Sequence, residues 1–276
     1  MSQLVAVRKH RPMAVWGGRT GQWAFEYGRM ANVKNNQLEI QNGFVALFDI
    51  MGFGQMIANN NLEKSAKVVF ELFQIVKDVR WERCELATYN LIPECFIFSD
   101  SILVYQMPTL TGSAEEADLS RSYFIKFCGR LTAEFLVRGL PVKGAIGKGE
   151  FAIIEGKSFT GKCIIDAHAL SESLQCAGCA VVPTLESEFS KDGETLDDSF
   201  QEDLLYWQAP LKNSSPQKLL MLNFLRHVTK PAGEMSRTTL IEKFSAHGKG
   251  FDLEVLKKVS ETEKILAECK KRIKPD

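Results

Sequence analysis

The sequence lacks the features that would place it at once in several common classes of protein. Its 276 residues carry no excess of either charge, because Lys plus Arg and Asp plus Glu both number 34. A chain with no basic surplus gives no sign of broad electrostatic binding to nucleic acid or anionic membrane. No apolar run approaches the length of a membrane span or of a signal-peptide core. We therefore expect a cytoplasmic protein with no nucleic-acid or membrane partner.

Familiar motifs for phosphate and zinc are also missing. The P-loop pattern G-x-x-x-x-G-K-[ST] does not occur. The seven cysteines include one C-x-x-C, from Cys176 to Cys179, but no second pair or histidine follows that would complete a zinc site. An odd number of scattered cysteines is typical of reduced thiols in a cytosolic protein.

What is present is a regular alternation of strands and helices from residue 44 onward. The apolar pattern predicts a strand over 44–50, a helix over 62–82, a hairpin within 90–107 and a helix over 115–139. A strand with a turn follows over 140–154, then a helix within 156–178, and a strand with the segment that leaves it over 179–189. This order, with helices between strands and a hairpin in the middle, is that of a ferredoxin-like α/β domain with a mainly antiparallel sheet.

Changes in composition divide the chain into three predicted regions. Residues 1–42 are glycine-rich and polar, which indicates an irregular or extended N-terminal arm that has room for a short strand. Residues 43–212 hold the alternating pattern and form the main domain. Residues 213–276 are expected to be a helical C-terminal extension, with helices from Pro216 to about residue 229 and over 251–274. Such an extension either braces the domain or forms a dimer contact.

Two aspartates stand out because each adjoins an apolar strand. Asp49 lies within FVALFDIMGFG, where an unpaired buried carboxylate is costly, so it is either a metal ligand or a turn cap. Asp100 lies at the predicted hairpin turn, between FIFS and SILVY. In a ferredoxin-like sheet these places come together, and two adjacent carboxylates repel one another unless a cation joins them. Two Mg²⁺ or Mn²⁺ ions suit carboxylate and phosphate oxygens and promote phosphoryl transfer.

The turn after Asp49 adds a second component. Met51-Gly52-Phe53-Gly54 leads from the predicted strand into a helix. Free backbone N–H groups at such a turn can hold phosphate oxygens. We therefore expect Gly52, Phe53 and Gly54 to contact a substrate phosphate.

Four segments resemble the catalytic domain of the class III nucleotidyl cyclases, the adenylyl and guanylyl cyclase family. FVALFDIMGF resembles the first strand, with its metal-binding Asp and Gly-Phe turn, and FIFSDSILVY resembles the hairpin with the second metal-binding Asp. LPVKGAIGKGEF is similar to the family's R-x-G-I-x-x-G strand, with Lys143 in the Arg place and Ala145 in the first Gly place. GKCIIDAHALSESL resembles the helix that usually reads G-D-x-V-N-x-A-A-R-L-E. The resemblance spans about residues 43–185.

The places that read the base in purine cyclases differ here. The base-reading Lys, four residues before the hairpin Asp, is replaced by Phe96, and its partner place falls near Ser158. The Asn and Arg places of the later helix fall near Ile165 and Ala169. The chain retains both metal-binding aspartates of the family but lacks the lysine that recognises the purine base. In this combination it most resembles the bacterial pyrimidine cyclases of Pycsar anti-phage systems.

This resemblance implies a complete reaction and its partners. The enzyme would convert CTP or UTP into cCMP or cUMP and pyrophosphate, and the product would activate a separate effector protein in anti-phage defence. A homodimer would form head to tail, with the active sites at its interface. Asp49, Asp100 and the backbone of Ile50 would hold the two metal ions. The expected substrate-binding residues are Gly52, Phe53, Gly54, Phe96, Ser158 and Lys162.

Several alternatives remain open at this point. The transition-state cation is Lys143, Lys148 or Lys162, and the last two are more often solvated surface residues. Phe96 is equally well interpreted as a core side chain. The chain as a whole fits a second function, a degenerate cyclase-homology domain that binds a nucleotide or a partner without turnover. The missing Asn and Arg favour that second function, and the retained pair of aspartates favours the enzyme.

Overall fold

The computed structural model of the chain describes residues 38–81, 91–107, 113–191, 195–228 and 235–273. Most of the predicted arm, residues 1–37, lies outside these ranges, and residues 36–276 form one compact unit. Its elements are β1 Leu38–Ile50, α1 Phe53–Asn59, α2 Leu62–Trp81, β2 Glu94–Phe98, β3 Ser101–Gln106, α3 Ala114–Val137, β4 Val142–Ile154, β5 Ser158–Thr160, α4 Lys162–Ser173, β6 Gly178–Val181, β7 Leu204–Ala209, β8 Gln217–Leu222, α5 Arg237–Ser245 and α6 Leu253–Arg272. Short 3-10 helices lie at Pro183–Glu188, Phe224–His227 and Ala246–Gly248.

The strands form one sheet in the order β2-β3-β1-β4-β6-β8-β7, with β5 paired to β4 outside this path. The β4–β6 pair is parallel, and the other pairs are antiparallel. The first four strands lie in the order β2-β3-β1-β4, with helices before β2 and before β4. That is the split βαβ arrangement of a ferredoxin-like domain. The predicted fold class, a mainly antiparallel α/β domain with C-terminal helices, is confirmed.

Helices α2 and α3 cover one face of this sheet. On α2, the buried residues Leu72, Ile75 and Val79 recur every three or four residues, which places them on a single side of the helix. They pack in one cluster with Phe48 of β1 and Phe124 of α3. The sequence pattern of α2 and α3 therefore corresponds directly to the layer that they form.

The opposite face is covered by α4 and by the C-terminal helices. Ala145 of β4 packs with Ala167 of α4, while Met221 of β8 packs in a cluster with Ile265 of α6. The molecule thus has three layers, helices on both sides of a sheet. Within the described residues, none of the helices has both the length and the apolar character needed to cross a membrane.

One predicted element of the C-terminal region is wrong. The helix expected from Pro216 onward is instead strand β8, which lies between β6 and β7, followed by a 3-10 helix. The segment Leu219–Leu222 is a run of apolar side chains, and such a run does not distinguish a buried strand from a buried helix. The helix expected over 251–274 is confirmed as α6.

Gly43 allows β1 to pair closely with its neighbour. A Cβ at this position would lie 2.3 Å from the carbonyl oxygen of Gln106 on β3, a backbone atom that cannot rotate away. We predict that Gly43→Ala lowers the free energy of unfolding by about 2–4 kcal/mol. Gly54→Ala is the control, because no atom lies within 4 Å of its Cβ and Ala favours a helix. Urea unfolding measures both, and equal midpoints for the two variants would contradict the prediction.

Candidate active site

The ends of three strands meet at the predicted metal site. Asp49, near the end of β1, is paired in register with Ser101 of β3 on one side and Lys143 of β4 on the other. Asp100 precedes Ser101 in the two-residue turn between β2 and β3, where Ser99 adopts a positive φ of 55°. A two-residue hairpin turn needs such a conformation. The structure therefore brings Asp49, Asp100 and Lys143 together.

Backbone hydrogen bonds fix these three ends relative to one another. The N–H of Ile50 donates to the carbonyl oxygen of Asp100 at 3.0 Å, and the N–H of Met51 donates to that of Pro141 at 2.9 Å. The strand ladder thus continues past Asp49 on both sides. Because these are main-chain bonds within a sheet, the position of the site does not depend on the rotamers of its side chains.

Asp49 lies in an environment that disfavours its negative charge. Its side chain is 29% exposed, and burial is the largest cause of a raised pKa for the Asp49 carboxyl. The ammonium of Lys143 lowers this pKa in part, while the negative charges of Asp100 and Glu172 raise it further. A group of carboxylates that one lysine does not fully balance is a place where a cation binds favourably.

Lys143 is held by two different groups. Its Nζ lies 3.3 Å from Oδ2 of Asp49 and donates to the carbonyl oxygen of Glu172, also at 3.3 Å. Glu172 is in the last turn of α4, where carbonyl groups have no partner within the helix and the helix dipole favours a cation. The hydroxyl of Ser171 in the same turn donates to the carbonyl oxygen of Lys143 at 3.2 Å. The end of α4 therefore anchors the lysine beside Asp49.

The glycine turn lies immediately beyond Asp49. Gly52 adopts a left-handed conformation, with φ of 79°, and precedes α1. The side chain of Phe53 is buried in the core, so only its backbone faces outward, and the space around Gly54 is open. A Cβ on Gly52 would lie 3.0 Å from the side chain of Lys249, which comes from the C-terminal region. The turn thus presents backbone rather than side chains to a ligand.

The predicted base-reading positions form a second group. Phe96 of β2 pairs with Leu103 of β3, and Leu103 pairs with Leu47 of β1. Phe96 is therefore two residues along its strand from the position that is level with Asp49. Its ring centroid is 5.2 Å from that of Phe159, and Phe159 follows Ser158 in β5. The structure places Phe96 beside the neighbour of Ser158, within an aromatic cluster rather than against the two aspartates.

Two of the three candidate cations are engaged elsewhere. Lys148 follows Lys143 by five residues in β4, an odd number, so its side chain lies on the opposite face of the sheet. There its Nζ pairs with Oε1 of Glu188 at 2.6 Å. Lys162 begins α4, is exposed, and pairs with Asp166 one turn along the same helix. Of the three, Lys143 is therefore the one that the fold places at Asp49.

The donor chemistry of the site fits Mg²⁺ or Mn²⁺ together with a substrate. In the ranges that the structure describes, no group of three or more His, Cys, Asp or Glu side chains is arranged to hold a metal. Two carboxylates, at Asp49 and Asp100, are what hard cations commonly take from a protein when substrate phosphates complete the coordination. Burial is the largest cause of the raised pKa of Asp49, and the negative charges of Asp100 and Glu172 raise it further.

Sequence reasoning missed three residues near this site. Glu172 has no signal in the sequence, because nothing there links the end of α4 to β1. Lys249 lies in the sequence HGKG, which has neither a helical nor a strand pattern of apolar residues that would place it near the site. Phe98 pairs with Ser101 in the same row as Asp49 and is 72% exposed, although it reads as an ordinary strand residue. Only its position directly before the hairpin turn was a signal in the sequence.

Neither a protein-family model nor a curated protein matches the sequence. Solved structures of cyclases are similar to the chain. The catalytic core of a rhodopsin-guanylyl cyclase with converted specificity, in complex with ATPαS, has a TM-score of 0.44 at 7% identity, over 67% of this chain and 98% of that one. The guanylyl cyclase Cya2 has a TM-score of 0.40 at 13% identity, over 67% and 91%. A bacterial light-regulated adenylyl cyclase has a TM-score of 0.40 at 10% identity, over 70% and 57%. All three scores are below 0.5, so these similarities carry no conclusion about function.

Replacing Asp49 by Asn should stabilise the fold near neutral pH. A carboxyl whose pKa is raised on folding destabilises the folded state once the pH exceeds that raised pKa, and the cost vanishes below the unfolded value of 3.8. We therefore expect a higher urea midpoint for Asp49→Asn at about pH 7, with the gain shrinking toward about pH 4. The exposed Asp198→Asn is the control for losing one carboxylate. A gain that does not change with pH would contradict the assignment.

Proposed function

We propose that this chain is a nucleotide cyclase that converts a pyrimidine nucleoside triphosphate, CTP or UTP, into the 3′,5′-cyclic monophosphate and pyrophosphate. The observation that carries the proposal is the meeting of Asp49, Asp100 and the Gly52 turn at adjoining strand ends. Two carboxylates for hard cations and an exposed backbone turn for phosphate are the parts that phosphoryl transfer needs. The sequence resemblance to class III cyclases adds the choice of a cyclisation over other phosphoryl transfers.

In this reaction the ribose 3′-oxygen loses its proton and attacks the α-phosphorus, and the bond to pyrophosphate breaks. Two Mg²⁺ or Mn²⁺ ions, when bound, favour deprotonation of the attacking hydroxyl and offset charge on the phosphates. Asp49 and Asp100, with the backbone of Ile50, would hold these ions. The backbone of Gly52, Phe53 and Gly54 would bind the phosphate chain.

Lys143 is the proposed transition-state cation. Negative charge grows on the phosphate oxygens as the bond to pyrophosphate breaks, and a positioned cation stabilises it. The Lys143 ammonium is already beside Asp49, held by the end of α4. With Asp49 engaged as a metal ligand, the Lys143 ammonium would keep the carbonyl oxygen of Glu172 as its partner and would be available to the phosphate.

The proposed substrate is a pyrimidine because the purine-reading lysine is replaced. Phe96 occupies that place and offers a ring face within an aromatic cluster instead of a charged hydrogen-bond donor. In a head-to-tail homodimer, a second copy would bring its Phe96, Ser158 and Lys162 to the aspartates of the first. The exposed ring of Phe98, in the Asp49 row, would lie at that interface. The product would then act on a separate cyclic-nucleotide effector in anti-phage defence.

A second candidate function is a nucleotide-binding module without turnover. The Lys143 ammonium lies against the carboxylate that a metal ion would need. Ile165, in the place of the family's Asn, is exposed and cannot donate a hydrogen bond, and Ala169 cannot replace an Arg. These observations favour binding alone, and they make an assay of turnover decisive.

The enzyme proposal predicts cyclic product that depends on both aspartates. Purified protein is incubated with ATP, GTP, CTP or UTP and Mn²⁺, and products are separated by liquid chromatography with mass detection. We expect a cyclic pyrimidine monophosphate, with formation reduced at least about 100-fold in Asp49→Ala and Asp100→Ala. Asp198→Ala, an exposed aspartate outside the site, should retain activity. No product from any of the four, with nucleotide still bound, establishes the binding module instead.

The head-to-tail dimer predicts that two inactive variants restore one another. Asp49→Ala removes a metal ligand, and Lys162→Glu changes an exposed residue expected to serve the partner's site. A mixed dimer would contain one site with both wild-type residues, so refolding an equal mixture should recover about a quarter of wild-type activity. If each active site is built from one chain, mixing restores nothing.

A further inference from the structure

The C-terminal region contains a short segment, Ala246–Gly250, that lies between two parts of the main domain. We call it the strap. On one side, Nδ2 of Asn59 donates to the carbonyl oxygen of Gly248 at 2.9 Å, and Nδ2 of Asn60 donates to that of His247 at 2.7 Å. Both asparagines are at the end of α1, the helix that follows the glycine turn. The strap is thus hydrogen-bonded to the element that carries Gly52.

On its other side the strap contacts the connection between α3 and β4. Nε2 of His247 lies 2.8 Å from the carbonyl oxygen of Arg138, and Nζ of Lys249 donates to that of Gly139, also at 2.8 Å. This connection continues to Pro141, whose carbonyl oxygen accepts from the N–H of Met51. The strap therefore bridges the two segments that flank the end of β1.

Lys249 is the residue of the strap that touches the glycine turn itself. It is only 5% exposed, and its methylene groups lie where a side chain on Gly52 would be. Its methylene groups thus cover Gly52, the left-handed residue of the turn, while its Nζ donates to the carbonyl oxygen of Gly139. One side chain links the turn, the α3–β4 connection and the strap.

The ammonium at this place is costly for the fold. Burial lowers the pKa of Lys249 to about 7, and the partner of its Nζ among the described residues is a neutral group, the carbonyl oxygen of Gly139. A buried cation without a counter-ion destabilises a protein, and an apolar side chain of the same length would be favoured if packing were its only role. A lysine here is therefore best explained by what its donor does for the turn.

We propose that Lys249 is a positioning residue that holds the Gly52 turn in place for the substrate phosphates, so that the C-terminal region forms part of the catalytic apparatus. This inference rests on the proposed function for the identity of the ligand. The strap lies outside the four segments that resemble the cyclase family, because that resemblance ends near residue 185. The inference therefore assigns a role to a region that the resemblance does not cover. The ammonium acts through Gly139 and the turn and is not assigned a contact with the substrate.

The test compares Lys249→Met, which keeps an apolar stem and removes the ammonium, with Lys249→Arg, which keeps a donor. Lys257→Met, an exposed lysine of α6, is the matched control. Hydrogen exchange of the nucleotide-free protein is measured over residues 51–59 and over β7 and β8. Unfolding free energy, kcat and KM for the nucleotide are measured on the same samples.

For Lys249→Met we expect amide exchange over residues 51–59 to rise about 10-fold, with β7 and β8 unchanged and unfolding free energy equal or higher. We expect kcat to fall about 10-fold, because displaced phosphate-binding groups misalign the reacting atoms. Lys249→Arg should recover both properties in part, and Lys257→Met should match the wild type. Asn60→Ala, which removes one of the two hydrogen bonds between α1 and the strap, should reproduce the local rise if Lys249→Met fails to fold.

Unchanged exchange over residues 51–59 in a folded Lys249→Met protein overturns the proposal. So does a uniform rise across the whole domain, because that pattern indicates a purely structural role. If the wild type forms no cyclic nucleotide, the proposed function fails, but the exchange measurement still decides whether Lys249 positions the turn.

Discussion

The pairing of β1 with both β3 and β4 is the constraint on which the rest of this molecule depends. Its hydrogen bonds continue beyond Asp49, to Asp100 on one side and to Pro141 on the other. They bring together residues that are about fifty and ninety positions apart in the sequence, at an inter-strand spacing of about 4.8 Å. Because the strand is central and covered on both faces, the site is built on one of the most rigid parts of the fold.

That rigidity holds charges in positions that cost stability. Burial and two neighbouring carboxylates raise the pKa of Asp49, and burial lowers that of Lys249 on the other side of the turn. Each charge is opposed by its surroundings, and neither is fully matched by a partner. Such unfavourable groups persist where function needs them, since a domain selected for stability alone would replace them. Their positions on both sides of Gly52 agree with the proposal that this turn binds the substrate phosphates.

The sequence predicted the parts of the molecule that depend on local pattern. The helices α2 and α3, the hairpin at Asp100 and the split βαβ order follow from periodicity, and the proximity of Asp49 to Asp100 follows from that order. Strand β8 was missed because an unbroken apolar run has no period. Glu172 and Lys249 could not be predicted, because each reaches the site only through tertiary packing. The segments that carry them have no sequence motif that indicates a role at the site.

The position of Lys249 also bears on how the C-terminal region relates to the site. A region that only braced a domain would bury apolar side chains, as α6 does with Ile265 and Leu266. The strap does something different, because its contacts are polar. Asn60 of α1 donates to the carbonyl oxygen of His247, and Lys249 donates to that of Gly139. Bonds of that kind fix a direction, whereas apolar packing mainly fixes a distance. In the proposed function the turn offers only backbone groups to the phosphates and has no side chains of its own to set its orientation, so that orientation has to come from elsewhere in the chain.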